Sequence, residues 1–571
     1  MPDSPVSSSS SSSSATFPYA EEKGGGGGLE AGGVEADDPK STTSSSSKPP
    51  SDAGWTRGVG FWRCFVGLCI PILLSAFEGS VVSTALPTIS RSLRLGPASS
   101  WVATAFLLAS IVFQPLYGQL ADIWGRRHLM MAAVVVFGVG SAVAGYASSA
   151  AVLVLGRVVQ GMGSGGIDLF AELILCDIIP LKKRGHYVAI KAAVYALGTT
   201  VGPLLGGVFA QTNWRWCFGV NLPVCIVALV LMWFWLQLHS GDSWQGLSVR
   251  QQMGRVDYAG LLLLTASVVL ILCALSLAGT VYAWADAPIV AALAGGCSGI
   301  VVFVFWERCR RCAHPIMAPH VFSNRTTVAA LVVTTVHGFI TYGFQFYLPP
   351  FFQAVLAASP ARSGVLILPC SLTIVILAAV GGPLLARFGK YRLMHRAGFV
   401  LMIAGLLPCI AFESSRAVWL WIVLSFLVGI GSGIIVSTTL PTVLVELTDK
   451  ENAAATGSWA FLRGLGSLLG VAVPNAVFNA QFAASLHSIQ DAAATAQLSN
   501  GQAYEHASAT FVSAFGDQVK EQILAAFAAS FKLVWIIFLA LAVLGFLATF
   551  LERQVRLRRD LDSDFGLKEA R

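Results

Sequence analysis

The sequence predicts an all-α polytopic membrane protein with fourteen spans, and three observations carry that expectation. Hydrophobic residues make up 55% of the 571 residues and charged residues only 12%, at a mean hydropathy of +0.69. Soluble proteins carry roughly 25% charged residues, enough to cover a water-facing surface. Fourteen apolar runs reach the length of about 20 residues that a membrane helix needs. Finally, Lys and Arg concentrate in every second connection between those runs, as expected of cytosolic loops. The net charge of +7 is modest for this length and excludes a nucleic-acid binder with a basic stripe.

Residues 1–55 come first and share none of this character. Ser7–Ser14, Gly24–Gly28 and Ser44–Ser47 make a polar tract with too little apolar area to offset its ordering entropy, so a disordered cytosolic tail is expected. It lacks the basic start and short apolar core of a secretory signal. Eight carboxylates against three lysines up to Asp52 give it −5, which leaves +12 on the rest of the chain.

The spans follow at 63–87, 99–120, 128–148, 152–177, 186–210 and 216–237, an N-terminal bundle within 56–240. A cytosolic loop and two extra helices (257–278 and 287–306) occupy 241–310. The C-terminal bundle, 311–552, holds spans at 327–352, 363–386, 394–412, 417–445, 453–480 and 530–551. Residues 553–571 form a cytosolic tail.

The basic clusters Arg126-Arg127, Lys182-Lys183-Arg184, Arg250 with Arg255, Arg308 to Arg325, Arg387 to Arg396, Lys450, and Arg553 to Arg559 all fall on the side of the N-terminus. The alternate loops hold only Arg91, Arg94, Arg215, Arg362, Arg416, Lys520 and Lys532. Both termini are therefore expected in the cytosol. The one long external loop, about 481–529, is Ala-rich and weakly amphipathic. It reads as one or two helices on the outer surface, with a lid over the exit mouth as the alternative.

Cys309-Arg-Arg-Cys312 with His314 has zinc-like spacing but no second ligand pair, so no metal site and no cofactor are expected. The sequon Asn324-Arg325-Thr326 falls on the cytosolic side, where it is unused.

Five motifs lie in order along these spans. Gly118-Gln-Leu-Ala-Asp122-Ile-Trp-Gly125-Arg126-Arg127 joins spans two and three, where glycines allow a tight turn and Asp122 can pair with basic side chains. A weaker echo, Gly382-Pro-Leu-Leu-Ala-Arg387-Phe-Gly389-Lys390-Tyr-Arg392, joins spans ten and eleven and lacks the aspartate. Arg157-Val-Val-Gln160-Gly161-Met-Gly163 lies in span four, and Gly198-Thr-Thr-Val-Gly202-Pro203-Leu-Leu-Gly206-Gly207 in span five. Trp214-Arg215-Trp216-Cys-Phe218-Gly-Val-Asn221-Leu-Pro223 enters span six, and Ala85-Leu86-Pro87-Thr88-Ile89 follows span one.

The ordered set resembles the major facilitator superfamily, and within it the fourteen-span drug:proton antiporters of the fungal multidrug and toxin efflux type. That resemblance implies two six-helix bundles with two additional helices, and the span-five glycines look like the antiporter motif associated with export. Asp177 resembles the partner of the Asp122/Arg126 loop. Those antiporters usually have an aspartate where this chain has Glu78, which keeps the carboxylate and adds a methylene.

Charge inside a span is costly and points to a polar cavity or a partner. Arg157 is the leading functional candidate, with Glu78 as the carboxylate for proton coupling or contact with a cationic substrate. Asp168 and Glu172, one turn apart on span four, are placed to line the cavity. His337 and Arg463 are lesser candidates, since lone polar residues in spans more often pack against neighbours.

The expected function is proton-coupled efflux of drugs, toxins or secondary metabolites by alternating access. The expected partners are small amphiphilic molecules, protons and the bilayer, with no nucleic acid, and the expected state is a monomer in the plasma membrane or the vacuolar membrane. The rivals are a fourteen-span siderophore–iron or vacuolar basic amino-acid carrier and a non-transporting sensor. An enzyme is not expected, because no soluble catalytic domain or clustered His/Cys/Asp constellation is legible.

Overall fold

Apolar runs that cannot satisfy their backbone in lipid must close it within helices, and the chain does so. The structure is a computed structural model that describes residues 58–93, 99–238, 254, 256–279, 282–309, 315–411, 417–448, 451–499, 503, 506–507 and 509–555. The expected N-terminal tail, the Lys182 and Lys183 side chains, Arg250, Arg255, Arg416, Lys450 and the tail from 556 lie outside the described residues.

Fourteen helices among the described residues are long and apolar enough to cross a membrane. The first bundle consists of α1 (Val59–Leu93), α2 (Ser99–Val112) continued by α3 (Gln114–Trp124), α4 (Arg126–Gly145), α5 (Ala150–Ile178), α6 (Leu181–Thr212), and α7 (Trp216–Gly219) continued by α8 (Asn221–Trp235). Span two breaks at Phe113, where Pro115 lacks the N–H that a continuous helix would use.

The extra pair is α9 (Tyr258–Leu277) and α10 (Ala287–Arg308). The second bundle consists of α11 (Arg325–Ala354), α12 (Pro360–Phe388), α13 (Tyr391–Ala411), α14 (Val418–Leu444), α15 (Asn452–Ser485) and, after the short α16 (Ala492–Leu498) and α17 (Ala509–Val512), α18 (Asp517–Ala548).

The packing repeats between the bundles. In the first, α1 lies on α6, α4 on α5, and α2 on α5; in the second, α11 lies on α15, α13 on α14, and α12 on α14. The contacts across the seam obey the same exchange: α6 meets α12, and α3 meets α15. The turns repeat too, because Gly125 (φ 79°) and Gly389 (φ 64°) occupy the same place in their bundles and both adopt a backbone that a side chain would strain.

Apolar clusters joining the bundles lie toward the end that carries the basic loops. Leu169 and Cys176 of α5 pack there with Leu440, Val443 and Trp459. The clusters at the opposite end are separate, one around Phe77, Val81 and Phe218 and one around Phe351, Trp421 and Trp535. The extra helices lean on the groove between α2 and α15, where Leu264, Val268 and Leu272 meet Leu108, Ile111 and Phe461. Exposed Val227, Val230, Phe234, Leu262, Phe305 and Leu372 leave an apolar exterior, as expected for a surface that faces lipid.

The expected loop 481–529 is shorter than its hydropathy suggests. Helix α15 continues to Ser485 and α18 begins at Asp517, so the intervening segment is 486–516. Polar Lys520, Glu521 and Gln522 interrupt hydropathy but not helical geometry, because nothing in their chemistry breaks a helix. Ile489, Ala494, Leu498 and Val512 of this segment are buried against Phe482, Ile523 and Phe527. The described residues of the segment thus pack onto the second bundle.

Candidate functional site

Two polar layers interrupt the apolar interior of the first bundle. The one farther from the basic end centres on Arg157 of α5 and Glu78 of α1, both fully buried and joined as an ion pair. Arg157 also donates from Nη1 to Gln160 Oε1 at 2.7 Å and from Nε to the carbonyl of Val102 at 2.8 Å. Its guanidinium lies 4.3 Å from the centre of the Phe106 ring. The other oxygen of Glu78 accepts from Asn221 Nδ2 at 2.5 Å, and Gln160 donates to Ser141 Oγ at 2.7 Å. Helices α5 and α8 therefore supply the partners of one carboxylate on α1, and Ser141 of α4 and Val102 of α2 hold those partners in turn.

The second layer lies at the seam between the bundles. Lys191 of α6 pairs with Glu172 of α5 at 2.6 Å and reaches the backbone carbonyl of Asp168 at 3.3 Å. Asp168 is half-buried, and its Oδ1 is a buried oxygen without a hydrogen-bond donor. Facing it from α15 is Arg463, whose guanidinium stacks on Trp459 at 4.7 Å and lies within reach of the Asp168 charge without forming an ion pair. Tyr195 of α6 and Tyr342 of α11 meet across the same seam.

The basic end carries the latch. Arg126 Nε donates to Asp177 at 3.0 Å, both buried, and Arg126 Nη1 closes on the carbonyl of Ala121. Arg127 reaches the carbonyl of Trp233 at 2.7 Å. A Cβ on Gly118 would lie 3.0 Å from the carbonyl oxygen of Ala453 and 3.4 Å from Gly457 Cα, so this glycine lets α3 and α15 touch. The Asp122 side chain lies outside the described residues. At the matching end of the second bundle the chain after α18 does the stitching. Glu552 takes a hydrogen bond from or gives one to His395 Nδ1 at 2.8 Å, and Val555 N donates to Tyr391 Oη at 2.9 Å.

The span-five glycines divide. A Cβ on Gly198 would lie 2.7 Å from Ala76 Cβ and from the Leu73 carbonyl, and one on Gly202 would strike Ser80 of the same helix. Gly206 is buried, while Gly207 faces open space. The Pro203 side chain lies outside the described residues. His337 is spent within its own bundle on Ser432 Oγ at 2.8 Å. Thr326 of the sequon is buried on Glu446, and Cys309 is exposed while Cys312 and His314 lie outside the described residues.

Sequence reasoning missed Lys191. It lies five residues into an expected span, near the basic loop, where a lysine reads as one that stretches to the interface. Its position inside the span was the available signal. Gln160, Asn221 and Ser141 were likewise invisible as partners, because only the fold brings α4, α5 and α8 onto Glu78.

Comparison with known proteins matches this arrangement over most of its length. The family model of the Major Facilitator Superfamily matches residues 68–471. The chain is 38% identical over 518 residues to the MFS-type efflux transporter ffsH of Aspergillus flavipes, covering 90% of this chain and 88% of that one. It is 37% identical over 527 residues to the efflux pump FUS6 of Gibberella moniliformis, covering 91% and 93%. Among solved structures, the human organic anion transporter MFSD10 superposes with a TM-score of 0.55 at 14% identity, over 86% of this chain and 99% of that one. The proton:xylose symporter XylE does so with 0.53 at 13% identity, over 86% and 95%. At such identities the two structures speak to the fold alone.

Proposed function

Because the chain belongs to the major facilitator superfamily and is a multi-pass efflux transporter of that kind, we propose that it exports amphiphilic drugs, toxins or secondary metabolites in exchange for protons by alternating access. The basic ends then face the cytosol, the membrane is the plasma membrane, and a monomer suffices.

The observation that carries this reading is the seam layer. Asp168 and the Lys191–Glu172 pair on one bundle face Arg463 on the other without closing an ion pair across. A charged layer between two bodies related by an exchange of helices is where substrate and proton can meet both sides in turn.

The proton belongs on Asp168 in this scheme, with Glu78 as the lock on Arg157. Protonating Glu78 would strand the guanidinium inside the bundle, and breaking a buried pair costs about 3–5 kcal/mol. Asp168 Oδ1 is buried with no donor, so it is the oxygen at which an added proton breaks no existing hydrogen bond. The groups that face it are Lys191, Glu172 and Arg463, with Ser75 and Tyr195 nearby.

Proton uptake favours one state only if the two states hold the proton with different affinity. The bundles' apolar contacts near the basic end suit a state closed to the cytosol, where Asp168 would load from outside and release substrate. The test is a pH-sensitive dye inside proteoliposomes. Adding rhodamine 6G, a cationic amphiphile, should evoke proton counterflow that stops with Asp168→Asn. Rhodamine movement with no counterflow would overturn the exchange.

A further inference from the structure

Two incomplete groups face each other across the seam. The Arg463 guanidinium, well inside α15, has Trp459 against one face and makes no hydrogen bond or ion pair among the described residues. A cation left without an anion inside a membrane protein is costly, and arginine's planar fork suits a carboxylate. Opposite it, Asp168 Oδ1 is buried with no donor. Arg463 lacks an acceptor, and one oxygen of Asp168 lacks a donor.

The wall around them is settled elsewhere. Lys191 is committed to Glu172. Trp459 Nε1 donates to Thr439 Oγ1 at 3.2 Å, which fixes the indole as a platform under the guanidinium. His337, the nearest other basic side chain of α11, is held by Ser432. Among the described residues the layer therefore sets one cationic fork without an acceptor on one bundle against carboxylate oxygens without a donor on the other, Asp168 Oδ1 and Glu172 Oε1, of which Glu172 already holds Lys191 through its second oxygen.

We propose that the seam takes amphiphilic acids as well as cationic amphiphiles: an ionised carboxylate or acidic enol seated on Arg463, with a hydrogen-bond donor beside it that engages Asp168. This deepens the efflux reading and rests on it for transport, although binding alone tests it. The arrangement also supplies the sign of exchange. The ligand's donor and the proton compete for the same oxygen, so loading one releases the other. A ligand that bridged the seam would touch both bundles at once.

The probe is N-dansyl-leucine, which carries a carboxylate beside a sulfonamide N–H. Its methyl ester removes the charge, and its N-methyl derivative removes the donor. Binding is followed by dansyl fluorescence on the full-length purified protein with no gradient imposed.

The acid should bind about tenfold more tightly than either derivative, the scale of one charge-assisted hydrogen bond. Arg463→Gln should abolish the preference over the ester, and Asp168→Leu, which leaves no acceptor, the preference over the N-methyl compound. Arg463→Lys, which keeps the charge and is the fallback should Arg463→Gln fail to fold, should retain part of it. Equal binding of acid and ester, no binding of the acid, or a preference that survives Arg463→Gln overturns the inference. Rhodamine 6G counterflow that persists in that case leaves the efflux reading standing, whereas acid binding without counterflow retains this site and overturns the exchange.

Discussion

Glu78 illustrates what one carboxylate can organise. Its two oxygens accept from Arg157 and Asn221, on α5 and α8, and Gln160 and Ser141 extend the set to α4. Removing one partner leaves the other as an uncompensated buried charge, which costs more than losing the pair. Glu78→Gln and Arg157→Gln should each lower the yield and thermal stability of the purified protein, and the double variant should be more stable than either. A double variant less stable than both singles would contradict this account of the layer. Arg157 and Glu78 were legible in the sequence because charge is rare inside spans. Their pairing was not, since nothing in the spacing of residues 78 and 157 reports that α1 and α5 meet at that height. Asp168 and Glu172 were legible as a face of span four, but Lys191 was hidden by its closeness to a basic loop.

At the scale of helices, α6 carries its glycines for different reasons. Gly198 and Gly202 let α1 approach to backbone contact, whereas a Cβ on Gly207 would meet no neighbouring atom. Small residues at such crossings let helices pack in the absence of a hydrophobic drive. Gly198→Leu and Gly202→Leu should therefore abolish transport of rhodamine 6G from cells, while Gly207→Ala should keep it near the wild-type rate. Loss of transport in Gly207→Ala with the protein still in the membrane would show that the motif acts through something other than packing against α1. The motif was read from sequence as a unit, and only the structure separates its members. The same limit applies to α18, whose polar first turns hid thirteen helical residues before the expected start at 530. Hydropathy locates the part of a helix that lipid requires and is silent about the part that protein or water surrounds.

Across the whole molecule, the two bundles repeat one packing pattern and touch through exchanged helices, α6 with α12 and α3 with α15. Only the turns at Gly125 and Gly389 announce that repeat in the sequence. The close approach of Gly118 to Gly457 belongs to the closed end of the seam, so it must open if the bundles rock. A Gly118→Cys/Gly457→Cys pair in a background without native cysteines should cross-link under mild oxidation, because a Cβ on either residue would lie 3.4 Å from the Cα of the other. Rhodamine 6G transport should then stop and return on reduction. Full transport by the cross-linked protein would mean that this end stays closed throughout the cycle.

The central claim, that a proton on Asp168 drives export, is tested most directly by separating uphill from downhill movement in proteoliposomes. Wild-type protein should accumulate rhodamine 6G against its gradient when a proton gradient is imposed. Asp168→Asn should lose that accumulation while still equilibrating the dye down its own gradient. Uphill accumulation by Asp168→Asn at the wild-type level would contradict the account.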